Sequence, residues 1–164
     1  MFQISALEHS HFDALFSLDD AVLAARGARR YVADKKPGFP CRVSLQDAEP
    51  GERVILVPYH HQPADSPYRA AGPIFVREGA RTTSLPPDTV PALLRSRLLS
   101  VRAYDAAHLM IEADVIDGRD VESRLASMFA DERVAYLHIH FARPGCYACR
   151  ADRSATKNEA AGKV

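Results

Sequence analysis

The sequence predicts a single α+β domain over residues 1–150, built on an antiparallel or mixed sheet with about three helices, and a polar tail over 151–164. Three observations carry this expectation. At 164 residues the chain suits one domain, long enough to bury roughly 70% of the surface that its unfolded form exposes. Short runs rich in β-branched and aromatic residues recur along it, whereas few stretches have helical spacing. These strands and helices alternate without a regular βαβ rhythm, which separates α+β from α/β.

Taken in order, Phe2 to Leu7 opens with a short strand. His11 to Ala25 reads as a helix, since Leu15, Leu18, Val22 and Ala25 recur on one face and Gly27 offers a stop. Arg30 to Ala33 is a strand, and the prolines and glycine of 35–40 impose a turn. Cys41 to Leu45 and Arg53 to His60 read as a hairpin across 47–51, and the breaker-rich stretch 62–73 as a loop. Ile74 to Arg77 is a strand. A short helix follows Asp88, with Pro91 near its first turn. Leu98 to Tyr104 and Leu109 to Ile116 suggest a second hairpin. Asp120 reads as the N-cap of a helix to Ala130, with Val121, Leu125, Met128 and Phe129 as its apolar stripe. Tyr136 to Phe141 is the last strand, with Leu137, Ile139 and Phe141 towards the core and Tyr136, His138 and His140 on an outer face.

Composition excludes several function classes. The 21 basic and 21 acidic side chains cancel, so no overall field favours nucleic acid or an anionic membrane, although a local basic site remains compatible. The longest apolar run, Val54 to Tyr59, falls far short of the about 20 residues that span a bilayer. The first ten residues lack the basic and apolar regions of a secretory signal, so a cytoplasmic location is expected. Three cysteines, an odd number, fit poorly with a disulfide framework.

The stretch from Tyr136 to Arg150 concentrates chemistry. It holds His138 and His140 on one strand face and then, after Pro144-Gly145, the Cys-x-x-Cys pair Cys146 and Cys149. Zinc accepts imidazole and thiolate ligands, so His138, His140, Cys146 and Cys149 form a candidate metal set if the turn folds back. Cys146 and Cys149 also form a candidate catalytic or redox dithiol, since Arg143, Arg150 and Arg153 supply cations that lower a thiol pKa. The plain alternative makes the cysteines small buried hydrophobes and the histidines part of a solvated face. Cys41 reads as core. His60 and His61 face opposite ways at a strand end, so at most one of them can approach His138 or His140.

A second function class is a binding module without catalysis. Tyr68 and Arg69 sit in the proline-stiffened loop, and with Arg143 and Arg150 they would hold a small anion or a protein partner. No glycine-rich phosphate cradle, Gly-x-Ser-x-Gly elbow or His-Glu-x-x-His pair is present.

The ordered motifs Pro37-Gly-Phe-Pro-Cys-Arg42, Asp47-Ala-Glu-Pro-Gly51, Ser66-Pro-Tyr-Arg69, Gly72-Pro-Ile-Phe-Val-Arg77, Arg102-Ala-Tyr-Asp105 and Gly145-Cys-Tyr-Ala-Cys149 resemble a bacterial family, the domain of unknown function 1203. The resemblance runs from about Arg30 to Arg150 and implies one domain of bacterial type. It transfers no activity and no catalytic residue.

Overall fold

The computed structural model describes residues 1–154. Among these residues the architecture is α+β, with ten strands in two five-stranded sheets and three α-helices. The first sheet has the order β1 (Phe2–Ser5), β10 (Tyr147–Arg153), β9 (Tyr136–Phe141), β7 (Leu98–Tyr104), β8 (Met110–Asp117), and every neighbouring pair is antiparallel. The second has the order β2 (Arg29–Val32), β5 (Arg53–Gln62), β6 (Ala70–Arg77), β3 (Pro40–Cys41), β4 (Gln46–Asp47), with one parallel contact where Cys41 meets Phe75. The expected single sheet is therefore two.

Alternation along β9 explains how the layers stack. Leu137, Ile139 and Phe141 join Leu99 and Val101 of β7 in a core. Helices α2 (Ala92–Arg95) and α3 (Val121–Met128) close that core with Leu93, Leu94, Val121, Leu125 and Met128. Leu125 is fully buried, a burial that stabilises by about 1.5–3 kcal/mol. The opposite face carries Tyr136, His138 and His140, and it is not open to solvent, since all six residues of β9 are buried. Next to them Tyr147 packs with Tyr59, Ile74 and Val76 of the second sheet, so this face of β9 and β10 lies against that sheet. The polar face read from the sequence is an interior one.

Several local expectations are corrected. The helix expected over His11 to Ala25 is broken into 3-10 turns and a short α1 (Asp20–Ala25). Leu18 is extended, and Asp19 then caps α1 by accepting from the Val22 N–H at 2.8 Å. The strand containing Cys41 does not pair with β5. The partners of β5 are β2 and β6, and β6 starts at Ala70 and takes in the Gly72-Pro73 pair that reads as loop. Asp120 makes no capping hydrogen bond; Asp117 accepts from the Arg119 N–H instead, one 3-10 turn earlier. Finally, β10 continues to Arg153 because β1 pairs along it, with Phe2 opposite Arg153. Residues 155–164 of the expected tail lie outside the described residues. No helix among the described residues is long and apolar enough to cross a membrane.

Candidate metal centre

Three elements bring imidazoles together. His138 and His140 are two residues apart on β9, so the pleat points both rings away from the helix-covered core. His61 comes from the end of β5 in the other sheet, where the pairing with β6 shifts register between Tyr59 and Gln62. Ring centroids are 5.0 Å apart for His61 and His140, 6.1 Å for His61 and His138, and 6.3 Å for His138 and His140. One nitrogen from each ring lies within 4.8 Å of the others. His60, the neighbour of His61, is exposed.

Hydrogen bonding leaves one buried nitrogen of each ring without a partner. The Nδ1–H of His140 donates to the Gly145 carbonyl at 3.1 Å, which fixes the tautomer and leaves the Nε2 lone pair available. That Nε2 is buried and unpartnered, as are the Nδ1 atoms of His61 and His138. Buried polar atoms are ordinarily satisfied, so an unpartnered nitrogen on each of the three rings suits a shared ligand. A ring held by a backbone carbonyl through its other nitrogen is also the usual setting of a metal-bound histidine.

Electrostatics keep the rings neutral. Burial lowers the His61 pKa to about 4, helped by the Arg102 charge. Burial, and then the charge on His140, lowers that of His138 to about 3. Burial and Arg102 bring His140 to about 4. Neutral imidazole is the form that coordinates metals. The surroundings are aromatic: the Tyr147 ring lies 5.5 Å from His61, 5.3 Å from His138 and 5.8 Å from His140. Tyr104 packs at 5.1 Å from His138, and the Tyr136 hydroxyl is bound by Gln62 and His108 at 2.7 and 2.9 Å.

The cysteines go elsewhere. The β10–β9 register slips between Tyr147 and Cys149, so Tyr147 and Arg150 share the histidine face while Cys149 stands opposite Ile139 in the helix-side core. Without that bulge, the two-residue spacing of Tyr147 and Cys149 would put both on one face. Cys149 is 1% exposed, and burial pushes its thiol up to about 12. Cys146 packs against the same core and takes a hydrogen bond from the Arg42 Nη2 at 3.0 Å. All three cysteines are free. The four-residue set His138, His140, Cys146 and Cys149 is therefore not assembled; two of its members meet His61 instead.

The expected anion-binding residues also separate. Arg150 lies over the Tyr136 ring at 4.0 Å and pairs with Asp152 at 2.6 Å. Tyr68 packs its ring 6.0 Å from Tyr104, beside the histidine face, and Arg69 is exposed on the same loop. Arg143 lies at the far end of β9, in a different cleft. His61 is the one member of this cluster outside the ligand set that the sequence suggests. Its only signal was a histidine pair at a strand end.

A family model described as "Protein of unknown function (DUF1203)" matches residues 38–153, a span that holds all three clustered histidines. No curated protein and no solved structure matches the chain.

Proposed function

The chain belongs to the family described as Protein of unknown function (DUF1203), a membership that brings no reaction with it, and we propose that its function rests on a metal centre formed by His61, His138 and His140. The observation that carries this reading is that His61, His138 and His140, from two different sheets, each bring one ring nitrogen within 4.8 Å of the others, and that each ring also carries a buried nitrogen without a hydrogen-bond partner. A tetrahedral zinc at about 2.0–2.1 Å from each nitrogen sets its ligands about 3.3 Å apart, so closure from 4.8 Å takes at most about 1.5 Å of approach. Side-chain rotation of His61 and His138, which have no hydrogen bond to break, towards the His140 ring held at one edge by Gly145 would supply that. Imidazole ligands suit zinc, copper, iron and nickel, and zinc is the foremost candidate.

Three neutral ligands cancel none of a divalent ion's charge, and Arg102 adds to it. The remaining coordination position therefore favours an anionic ligand. A three-histidine set with one open position is the arrangement of a catalytic rather than a closed structural site, and the ion would supply a Lewis acid there. Thiol chemistry at Cys146 and Cys149 has less behind it, because the raised pKa of Cys149 opposes activation of that member.

The test is elemental analysis of the full chain purified without an affinity tag, followed by titration of chelator-treated protein with zinc, cobalt and copper. Near-stoichiometric metal, lost in His138→Ala and His61→Ala, is the expected result. A folded protein that holds no metal and binds none of the three overturns the reading.

A further inference from the structure

The second concentration of unexplained chemistry is a cleft of about 1200 Å³ at the turn end of β9, whose wall includes Arg42, Arg97, Phe141, Arg143 and Cys146. Six cationic side chains line it against one carboxylate, Asp117, in a chain whose total charge is zero. Three of the six are already paired: Arg95 with Glu122, Arg97 with Asp47 and Arg119 with Asp117. Lys35, Arg42 and Arg143 have no carboxylate partner among the described residues. An exposed cation needs none, and Lys35 and Arg143 are exposed.

Arg42 differs, because it is 1% exposed. Its guanidinium donates to the Tyr147 carbonyl at 2.7 Å, to the Pro40 carbonyl at 2.5 Å and to the Cys146 sulfur at 3.0 Å. These bonds hold it rigidly and use three of its five N–H groups. They do not neutralise it. Apart from the Cys146 sulfur, this buried charge has no anionic partner among the described residues, and a buried charge is strongly unfavourable unless something completes the pair. The cleft beside it also has an apolar lining, with Phe75, Leu56 and the Phe141 ring, which Arg42 and Arg97 both approach, at 4.9 and 5.1 Å.

We propose that this cleft binds a small organic anion, its carboxylate or phosphate head held by Arg42, Arg143 and Lys35 and its apolar body laid against Phe75 and Phe141. The site is independent of the three-histidine centre: none of His61, His138 and His140 lines it. A guanidinium fixed by two backbone carbonyls is already oriented before a ligand arrives, which reduces the cost of binding. The apolar lining and the neutral remainder of the chain disfavour a nucleic-acid backbone as occupant.

Calorimetric titration of the full chain with phenyl phosphate, benzoate and their neutral counterpart benzyl alcohol tests the assignment. Expected is binding of at least one anion about tenfold or more tighter than benzyl alcohol, weakened about tenfold in Arg143→Ala and in Arg42→Lys, which keeps a buried cation. Which of the two anions binds better identifies the head group. The same affinity in chelator-treated protein and in His138→Ala separates this site from the metal centre. Equal binding of all three probes, no binding at millimolar concentration, or an affinity indifferent to both arginine substitutions overturns the proposal. Arg42→Ala is avoided because it removes a side chain on which three internal hydrogen bonds depend.

Discussion

The rings of His61 and His140 meet at 5.0 Å and 80° although they belong to different sheets, one at the end of β5 and the other inside β9. Strand pairing does not bring them together, because β5 pairs with β2 and β6 while β9 pairs with β7 and β10. The contact depends on the packing of one sheet against the other. A ligand spanning these rings ties the two sheets together, which links the chemistry of the site to the stability of the fold.

Removal of any one imidazole leaves two ligands. His61→Ala, His138→Ala and His140→Ala are each expected to weaken metal binding about 100-fold or more, since even loss of an outer-shell partner typically costs 10–100-fold. His60→Ala is the control: it is adjacent in sequence, exposed, and expected to change nothing. Competition titration against a chromophoric chelator measures all four. Equal losses at His60 and His61 would mean that binding is nonspecific.

Metal should also stabilise the fold. Any ligand confined to the native state adds about 2.7 kcal/mol at 100 times its dissociation constant. Thermal unfolding of the chelator-treated protein is expected at a lower temperature than that of the metal-loaded protein, with the gap closing on readdition of zinc. In His138→Ala the two melting temperatures should coincide.

Much of the fold is legible in the sequence, and the reasons it stops being so are local. β7, β8, β9 and α3 follow from alternation and helical spacing at Leu98 to Tyr104 and Val121 to Met128, where one face is apolar. Cys41 is core, as its sequence reads, but the hairpin expected for Cys41 to Leu45 with β5 is absent because a two-residue strand has no periodicity to read. The pairing of β5 with β6 was hidden by Gly72-Pro73, which reads as a breaker yet sits inside the ladder. At the site, His138 and His140 were visible as a pair on one face. The separation of Cys149 from them depends on one bulge after Tyr147, and the arrival of His61 depends on sheet packing; neither has a signature in local composition.

Reactivity should divide the cysteines. Cys41 is fully buried, Cys149 is 1% exposed with its thiol pushed up to about 12, and Cys146 is half-buried at the cleft wall. Alkylation of the native protein at neutral pH is expected at Cys146 alone, as read by peptide mass mapping. Cys149→Ser places a hydroxyl in an apolar core and is expected to cost about 1–3 kcal/mol in denaturant unfolding. Rapid native labelling of Cys149 would contradict its burial.

Gly118 gives a test of the frame that holds the helices. A Cβ there would lie 1.9 Å from the Leu94 carbonyl oxygen and 2.7 Å from that of Arg97, so backbone of the α2 segment would have to move. The Gly118 N–H donates to the Arg97 carbonyl at 2.8 Å, which fixes this close approach. Gly118→Ala is expected to destabilise by about 2 kcal/mol or more, in the range of overpacked cores. Gly79→Ala, where a Cβ meets nothing within 4 Å, should cost less despite its positive φ of 69°. Chemical denaturation of the two variants decides, and equal losses would refute the packing argument.

The same histidines set an acid limit for the metal-free protein. In the unfolded chain each titrates near about 6.5, whereas in the fold burial lowers His138 to about 3 and His140 to about 4. Between these values the unfolded state binds more protons than the native state, so stability rises with pH through that window. The contribution is complete above about pH 6.5 and is lost progressively as pH falls towards the folded values. At pH 5, one and a half pH units below the unfolded value, each of these two rings is expected to have lost about 2 kcal/mol of stability relative to neutral pH. Urea unfolding of chelator-treated protein at pH 7 and pH 5 measures the difference. In His138→Ala the pH-dependent part should shrink by about a third, since one of three histidines with lowered pKa values is gone while His61 and His140 keep theirs. A pH dependence identical in wild type and variant would show that other groups govern acid unfolding. Saturating zinc should add a further proton-linked dependence of the same sign, because protons compete with the metal for the same three nitrogens.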